Sequence, residues 1–466
     1  MRRELLDSTL REGELFKVFS KEVKVRIAGK LAEAGLKRVE LTVDYPPRTT
    51  YQDVKPVVDV LQDYGVLAVL HGRAHDQDIR AMARYGVEGC ALYLSLTQLH
   101  REFKLHGISL DEAVKRLADA VAVARELGFK YVRATVEDAS RLFVEEGWRG
   151  IQLIGETIGV LKRAGATLVS VPDTAGLLTP RKAAEFIKSV KRVSELPIAA
   201  HFHNDYGMAS ANTIEAALEG ADELHVTVMG IGDRNGIADL YEVAATLEDV
   251  HGIETGIDRD KLGQLYRFFS RATGIKLPWR HPLSDEARRI RAGVHQSMTI
   301  KRPEGYIPAK KLQHDFGALL YEMSPYVSHK LVAAILGERS VDEQRVRRLT
   351  EVLAVAVRQT RSRPSLEELR EIIKHEAGVE VSIGQLERFF GSERVYILVK
   401  LDPRAPAREI VHELMGWDDI ESVDEVYGDA DMVITAQMSY RHDNVVNRIR
   451  QRFAEVIEDM KVLVTD

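Results

Sequence analysis

The sequence predicts an α/β protein whose larger part is a (β/α)8 TIM barrel, followed by a helical extension and a C-terminal α+β module. Up to roughly residue 250, short apolar runs rich in β-branched residues alternate with longer amphipathic stretches of helical spacing. Eight such βα units recur about every 30 residues, which suits the roughly 250 residues of a closed barrel. Beyond residue 394 the order becomes βαββαβ, the ferredoxin-like arrangement.

Each βα unit begins with a short predicted strand. The predicted strands are Glu4–Ser8, Arg38–Thr42, Val66–His71, Gly89–Ser95, Tyr131–Val136, Leu168–Val171, Ile198–His203 and Glu223–Val228. The predicted helices between them include Glu22–Ala34, Leu110–Leu127, Ile151–Ala164 and Arg181–Val193. An open doubly wound sheet is the alternative, but it usually stops at about five or six strands and opens with a glycine-rich phosphate loop. No such loop follows the first strand, so the barrel is favoured.

Helical patterns replace strand patterns in the middle of the chain. Basic helical stretches include Arg288–Ala292 and Val341–Arg361, and the run RSRP at 361–364 predicts a break. Ser365, three residues before Glu368, predicts a capping box that begins the next helix. We therefore expect a catalytic barrel over 1–255, helical subdomains and a linker over 256–390, and a regulatory domain over 394–466.

The C-terminal module is predicted from four apolar strands and two helices. The strands are VYILVKL, SVDEVYG, DMVITAQM and KVLVT, and the helices cover Ala407–Met415 and Asn444–Glu458. Lone modules of this type usually pair through their sheets. We therefore expect a dimerising or effector-binding unit.

Composition and charge narrow the class of protein. The chain has 466 residues, 45% of them hydrophobic, and a formal net charge of −6, which gives no reason to expect a nucleic-acid or anionic-membrane partner. No apolar run reaches the roughly 18 residues of a spanning helix. Cys90, the single cysteine, excludes an intrachain disulfide and a cysteine-rich metal site, and its apolar neighbours indicate a core thiol. Because charged residues appear within the first few positions, we expect a cytoplasmic enzyme.

The motif HFHND ends the seventh predicted strand and suggests a metal site. Residues at i and i+2 of a strand point to one face, so His201 and His203 would project together at the barrel rim. Two such imidazoles need one carboxylate to form a facial set of three ligands. Glu12, in DSTLREGE after the first strand, is the favoured carboxylate and Asp7 the second candidate. The alternative is a pair of packed or solvent-facing histidines.

Polar side chains also follow other strands at the end of the barrel where active sites lie. They are Arg11 after strand one, His71, Arg73 and His75 after strand three, Arg133, Thr135 and Glu137 along strand five, and Asp173 and Thr174 after strand six. Each alone could be structural, but together they favour a site. A planar guanidinium such as that of Arg11 holds carboxylates bidentately, and Arg133, His71 and Arg73 add further positive or donor groups. A dicarboxylic substrate therefore fits.

The motifs DSTLREGE, HFHND and GIGDRNG, in this order on eight βα units, resemble the metal-dependent Claisen-condensing barrel enzymes, which are the isopropylmalate, citramalate and homocitrate synthases. Within this family, the sequences REG at 11–13, HGRAH at 71–75 and RNG at 234–236 are most similar to homocitrate synthases. RAGVH at 291–295, with Tyr306 eleven residues later, is similar to the family's KAGIH segment and its tyrosine. The resemblance covers nearly the whole chain.

The resemblance implies a condensation of acetyl-CoA with a 2-oxo acid such as 2-oxoglutarate, with CoA release. It implies that Glu12, His201 and His203 bind a divalent metal, such as Mg²⁺, Mn²⁺ or Zn²⁺. It further implies that Arg11, Arg133 and Thr174 hold the 2-oxo acid and that His71 selects its far carboxylate. Thr135 stands where the family has a serine in the same substrate pocket. Glu137, His295 and Tyr306 would serve the proton chemistry. His295 and Tyr306 would reach a partner subunit's barrel, so the resemblance implies a homodimer.

Departures from the family pattern leave the substrate open. Leu15 stands where the family has glutamine, while Gly72 and Asp233 replace a larger aliphatic residue and a glutamate. Isopropylmalate, citramalate or Re-type citrate synthesis therefore remain alternatives. A metal-dependent aldolase, which needs no CoA, is a further one, and an amino-acid-sensing transcription regulator is a third class.

The turn YGDAD at 427–431 resembles the GDYD turn of the ligand-sensing domain of Lrp/AsnC-type regulators. This resemblance implies that paired C-terminal domains bind an amino acid, with lysine as the expected effector. Plain dimerisation without a ligand is the alternative.

Overall fold

The computed structural model of the chain describes residues 2–42, 49–314, 319–337, 342–360, 364–417, 419–438 and 444–464. It consists of two compact units, Met1–Tyr266 and Arg267–Asp466. Most of the predicted RSRP break, residues 361–363, lies outside the described residues.

The first unit contains a closed barrel of eight parallel strands in sequential order, which confirms the predicted fold. The strands are β1 Glu4–Asp7, β2 Arg38–Thr42, β3 Leu67–Arg73, β4 Gly89–Ser95, β5 Tyr131–Glu137, β6 Leu168–Ser170, β7 Ile198–Ala200 and β8 Glu223–Val226. β1 pairs with β8, where Leu6 lies opposite His225, and this pairing closes the barrel.

Helices follow the strands and bury their apolar faces against them. They are α1 Gly13–Phe16, α2 Lys21–Glu33, α3 Tyr51–Asp63, α4 Asp76–Ala83, α5 Gln98–Phe103, α6 Leu110–Glu126, α7 Ala139–Glu146, α8 Trp148–Ala164, α9 Pro180–Val193, α10 Ala209–Leu218, α11 Leu240–Asp249 and α12 Arg259–Thr273, with a 3₁₀ turn at Val228–Gly230.

Strand β7 is shorter than predicted. It ends at Ala200, so His201 and His203 lie beyond the strand instead of within it. The chain there pairs with its neighbours through isolated bridges, Asp173 with Phe202 and His203 with Ile237. These bridges connect the segment to the loop after β6 and to the loop after β8, in place of a regular strand.

The barrel interior is unusually polar. A small apolar cluster of the described barrel has Leu6, Val69 and Ala91 as its buried members. In β2, Val39 and Leu41 alternate with Arg38 and Glu40, which places the charged pair on the opposite face of the strand. The inward positions of barrel strands are usually branched apolar residues. Charged side chains therefore occupy space that a purely structural barrel would fill with hydrocarbon.

The helical part of the second unit packs around its own apolar core, which includes Leu331, Leu349, Leu369 and Phe390. Its helices are α13 Asp285–Arg288, α14 Gly293–Thr299, α15 Ala309–His314, α16 His329–Leu336, α17 Glu343–Thr360, α18 Leu366–Ala377 and α19 Ile383–Phe390, with a 3₁₀ turn at Pro303–Gly305.

Two predictions for this region have opposite outcomes. The predicted capping box is confirmed, because the Ser365 side chain accepts from the Glu368 amide and Glu368 accepts from the Ser365 amide. The helical prediction for Arg288–Ala292 is wrong beyond Arg288, because α13 ends at that residue and Arg289–Ala292 separates α13 from α14. Ile290 instead pairs with Tyr321 in an isolated bridge, which requires extended backbone.

The C-terminal module is a four-stranded antiparallel sheet in the order β10-β11-β9-β12, as the βαββαβ pattern predicts. Its elements are β9 Glu393–Leu401, α20 Ala407–Leu414, β10 Ile420–Glu425, β11 Met432–Met438, α21 Val445–Arg452 and β12 Ile457–Val464. α21 ends six residues before the predicted Glu458, because β12 already begins at Ile457, opposite Leu401.

Among the helices in the described part of the chain, none combines the length and the apolarity needed to cross a membrane.

Candidate active site

A pocket of about 210 Å³ opens where the carboxyl ends of the barrel strands meet. It brings together nine of the residues singled out in the sequence: Arg11, Glu12, His71, Arg133, Thr135, Glu137, Thr174, His201 and His203. They come from five strands or the loops that follow them, so the barrel assembles groups that are up to about 190 residues apart in the chain.

The two histidines of HFHND lie next to each other in the pocket wall. Nε2 of His201 lies 3.4 Å from Nε2 of His203, and both side chains are buried. Burial, helped by the other ring, holds the pKa of His201 well below its ordinary value. Burial and Arg234 lower the pKa of His203 to about 4. Both rings are therefore neutral at pH 7, which is the form that binds a metal.

Glu12 lines the same pocket, but its carboxylate faces a neighbouring guanidinium group. Its Oε2 pairs with Arg11 Nη1, and its Oε1 accepts from the Asp233 amide at 3.3 Å. The close approach of the β8 loop requires a glycine, because a Cβ at Gly232 would lie 2.9 Å from Cγ of Glu12. Within the described residues, no three His, Cys, Asp or Glu side chains are already spaced around one ion.

The donor set thus fits a divalent metal in part. The two neutral imidazole nitrogens are 3.4 Å apart. Both can therefore lie at the usual metal–nitrogen distance of about 2.0–2.1 Å from a single ion. Nδ1 of His203 is buried without a hydrogen-bond partner in the structure, so the ring is not committed elsewhere. Glu12 would complete the set by turning from Arg11 toward the rings. The ligand set remains a prediction that this geometry permits.

Asp7, the second candidate carboxylate, points elsewhere. It is fully buried, and its two oxygens accept from the Thr9 amide and hydroxyl at 2.9 and 3.0 Å. Burial raises its pKa to about 7. These bonds fix the turn after β1, and Asp7 is not part of the pocket lining.

Glu40 holds the two arginines predicted to bind substrate. This buried carboxylate pairs with Nη2 of Arg133, lies 3.8 Å from Nε of Arg11, and accepts from the Ser8 hydroxyl at 2.6 Å. Burial opposes its ionisation, but Arg133, His71 and Arg11 outweigh burial and hold its pKa well below the ordinary value. Glu40 is therefore an anion that orients both guanidinium groups.

Three further groups in the pocket are available to a ligand. Nε of Arg133 and Oγ1 of Thr135 are buried with no hydrogen-bond partner in the structure. The Thr174 hydroxyl accepts from the Asp138 amide at 3.0 Å, which leaves its hydrogen free to donate. A carboxylate or carbonyl oxygen in the pocket would satisfy them.

Glu137 is an ionised carboxylate at the end of β5. Lys104 donates to both of its oxygens, at 2.6 and 2.8 Å, and His100 lies 3.8 Å away. Burial raises the pKa of Glu137, but the bonds to His100 and Lys104 outweigh it, so the pKa is lowered. Lys104 therefore makes this carboxylate a weaker base, although each oxygen keeps a further lone pair that can accept a proton.

The residues of HGRAH separate into two groups. His71 lines the pocket, stacks on Tyr93 with ring centroids 5.0 Å apart, and lies 3.3 Å from Nη2 of Arg11. Burial and Arg11 hold its pKa well below the ordinary value. Arg73 lies outside the pocket lining, because its guanidinium donates twice to Asp78. His75 caps α4.

His295 and Tyr306 belong to the second unit. Their rings stack with centroids 3.8 Å apart, although eleven residues separate them in the chain. Tyr306 is half exposed, so its hydroxyl-bearing ring is accessible to another molecule.

Two of the three positions that depart from the family pattern, Leu15 and Asp233, line the pocket. Leu15 lines it with 63% of its surface exposed, so its side chain offers no polar group there. A side chain at Gly72 would collide with the Met82 methyl, which already fills that space. Asp233 contributes its backbone amide to Glu12.

Four further residues line the pocket without having been predicted from the sequence: Glu40, His225, Tyr93 and Lys104. The signal for the first two was present, because charged or polar residues alternate with apolar ones inside the predicted strands β2 and β8. Lys104 lies just after α5, and nothing in its local sequence marks it.

Comparisons with known proteins agree with this architecture. The family model described as HMGL-like matches residues 2–268. The homocitrate synthase of Sulfolobus acidocaldarius is 29% identical over 96% of this chain and 94% of its own, and that of Sulfurisphaera tokodaii is 32% identical over 65% of each chain. The solved HMG-CoA lyase of Brucella melitensis has a TM-score of 0.51 and 22% identity over 59% of this chain and 99% of its own. This last likeness concerns the fold alone.

The buried histidines predict acid sensitivity of the barrel. Burial lowers the pKa values of His71, His201, His203 and His225 below 6.5, so the unfolded chain binds protons that the folded chain does not. The unfolding free energy should therefore fall as pH drops from 6.5 toward 4, by up to about 1.4 kcal/mol per pH unit for each histidine, less the opposite contribution of Asp7, whose raised pKa gives the folded chain one extra proton in this range. Urea denaturation of the wild type and of His71→Gln at several pH values measures this slope.

In the variant His71→Gln, the unfolding free energy should depend less steeply on pH, by about the contribution of one histidine. An exposed-histidine control, His251→Gln, should retain the wild-type slope. Stability that does not change between about pH 7 and pH 5 would contradict the neutral state of these rings.

Proposed function

The chain belongs to the HMGL-like family, and we propose that it is a homocitrate synthase, which condenses acetyl-CoA with 2-oxoglutarate and releases CoA. The observation that carries this proposal is the pocket in which the facing imidazoles, Arg11 and Glu12 meet at the end of the barrel. Relatives named homocitrate synthase align with 96% of the chain, including both units, which supports the same activity.

The charge of the pocket favours a dianionic substrate. Among the described residues, four cationic and four carboxylate side chains line it, namely Arg11, Lys104, Arg133 and Arg234 with Glu12, Glu40, Glu137 and Asp233. The histidines are neutral, so this described lining has no net charge. A divalent cation added to it is balanced by the two carboxylates of a 2-oxo dicarboxylic acid and not by a monocarboxylate.

Glu12, His201 and His203 would hold the divalent metal. When bound, the ion supplies Lewis-acid polarisation of the ketone and offsets the negative charge that develops on its oxygen. The protein's part is to present neutral nitrogens, since a protonated imidazole has no lone pair to offer. Nothing in the donor set selects one ion from Mg²⁺, Mn²⁺ and Zn²⁺.

Arginine and hydroxyl groups would bind the 2-oxo acid. Arg11 offers a bidentate guanidinium once Glu12 has turned away, and Thr135 and Thr174 offer hydroxyl hydrogens. His71 and Lys104 also line the pocket and can donate to the second carboxylate. Glu40 keeps both arginines in place while the substrate exchanges.

The condensation needs a base that removes a methyl proton from acetyl-CoA. Glu137 is ionised and lies in the pocket, so it can accept or relay a proton at its Oε atoms. His295 and Tyr306 are the further proton-handling groups, stacked so that the phenol orients the imidazole. Attack of the resulting enolate on the ketone and hydrolysis of the thioester then yield the product and free CoA.

A second candidate is a citrate synthase that uses oxaloacetate. Leu15 supports it, because this side chain lines the pocket and offers no polar group where the family has a glutamine. Oxaloacetate also carries two negative charges, so it too balances a divalent cation in the pocket. Synthesis of isopropylmalate or citramalate would require a monocarboxylate and fits the neutral lining less well.

Substrate preference tests the proposal. Thiol release from acetyl-CoA should occur with 2-oxoglutarate, and kcat/KM for 2-oxoglutarate should exceed that for 2-oxoisovalerate and pyruvate at least about tenfold, because the pocket's polar groups stay unpaired with the latter two. The highest kcat/KM with oxaloacetate would select the second candidate. Preference for a monocarboxylate, or cleavage of a 2-oxo acid without CoA, would overturn both.

The same assay with lysine tests feedback by the C-terminal module. Its 427–431 turn is held by Lys400, which donates to the Gly428 carbonyl and to Asp431 at 3.4 and 3.0 Å. We expect lysine to lower the rate with 2-oxoglutarate. An unchanged rate would leave the module a dimerisation unit.

A homodimer in which each pocket receives His295 and Tyr306 from its partner predicts complementation. Glu12→Gln and His295→Ala should each be nearly inactive alone. Mixed and reassembled, they should recover about a quarter of wild-type activity, since random pairing restores one pocket in half of the dimers. A mixture of Glu12→Gln and His203→Gln is the matched control and should stay inactive. No recovery in the first mixture would contradict the shared pocket.

A further inference from the structure

We propose that His225 is a positioning residue that keeps the proton of His201 on Nδ1 and so leaves Nε2 of His201 free to bind a cation. The inference rests on the proposed function, because it takes His201 as a metal ligand. It assigns a role to a buried imidazole of β8 that the reaction itself does not use.

His201 has one neighbour at each ring nitrogen. Its Nδ1 lies 3.3 Å from Nδ1 of His225, and its Nε2 lies 3.4 Å from Nε2 of His203. A neutral imidazole carries one hydrogen and one lone pair. For Nε2 to ligate a cation, the hydrogen must be on Nδ1, where His225 lies within reach to accept it.

Glu223 makes His225 an acceptor at that position. Nε2 of His225 lies 3.1 Å from Oε1 of Glu223, and a carboxylate can only accept. Glu223 is itself fixed, because Tyr131 donates to Oε1 at 2.8 Å and Arg38 donates to Oε2 at 2.6 Å. With its hydrogen on Nε2, His225 presents a lone pair at Nδ1 to His201.

Arg133 competes for the same nitrogen. Its Nη1 lies 2.9 Å from Nε2 of His225, and a guanidinium can only donate. The two contacts therefore require opposite tautomers of His225. The contact with Arg133 suits the pocket without a cation, whereas a cation on His201 requires the contact with Glu223.

This competition also affects an arginine that is predicted to bind substrate. Each imidazole carries one hydrogen in both arrangements, so no net proton is gained or lost. When His225 donates to Glu223, Nη1 of Arg133 loses its acceptor on His225 and keeps Oε1 of Glu223, 3.7 Å away, as its charged partner. His225 thus connects the cation's ligand His201 with the arginine predicted to bind the 2-oxo acid.

A matched pair of variants separates positioning from packing. His225→Asn places an amide where Nδ1 lies and can still accept from His201, whereas His225→Gln places the amide where Nε2 lies and cannot. Titration of the metal-free full-length protein with Mn²⁺, followed by the EPR signal of free Mn²⁺, gives the affinity without any substrate. Thermal unfolding of both variants checks their folding.

We expect His225→Asn to bind Mn²⁺ within about threefold of the wild type and His225→Gln to bind it about 10–100-fold more weakly, the usual effect of losing a partner behind a metal-binding histidine. Equal affinities of the two variants would overturn the role of His225. A wild type that does not bind Mn²⁺ at all would instead overturn the proposed function.

A measurement on the wild type covers the case in which the variants do not fold. Long-range ¹H–¹⁵N spectra of the histidine-labelled chain with Mg²⁺ bound report which ring nitrogen carries the hydrogen. We expect His225 to be protonated on Nε2 and unprotonated on Nδ1. The opposite tautomer in the Mg²⁺-bound chain would contradict the inference.

Discussion

The ion pair between Glu40 and Arg133 inside the barrel is the interaction on which the pocket depends. Both side chains are almost completely buried, so each charge relies on the other and on a few fixed dipoles. Removing one partner would leave an uncompensated charge and cost several kcal/mol, about 3–5 in comparable cases. Because Glu40 also holds Ser8 and faces Arg11, this pair fixes the base of the substrate pocket.

This arrangement has a cost in apolar packing. Glu223, Arg38 and Tyr131 extend the same network toward the amino end of the barrel, where hydrocarbon would pack more simply. The network in turn determines the state of the imidazoles, since burial beside Arg133 lowers the pKa of His225. Neutral rings and oriented arginines are consequences of a single polar interior.

The fold could be predicted from the sequence because strand and helix periodicities are local and strong. The predicted limits of Arg38–Thr42 and Gly89–Ser95 match β2 and β4. The nine pocket residues could be predicted because parallel barrel strands end at one face. The local sequence pattern could not predict which charged side chains pair with each other. Arg73 pairs with Asp78, and Lys104 pairs with Glu137, through contacts that form only when the chain folds. The end of β7 at Ala200 likewise depends on the β8 loop.

The central claim is that His201 and His203 bind one divalent ion together. Electron spin echo envelope modulation of Mn²⁺ bound to the full-length protein detects nitrogen nuclei directly coupled to the ion. The account predicts modulation from two histidine nitrogens, reduced to one in His203→Gln and altered by ¹⁵N-histidine labelling. Bound Mn²⁺ without histidine nitrogen modulation would contradict it, because the ion would then lie away from the two rings.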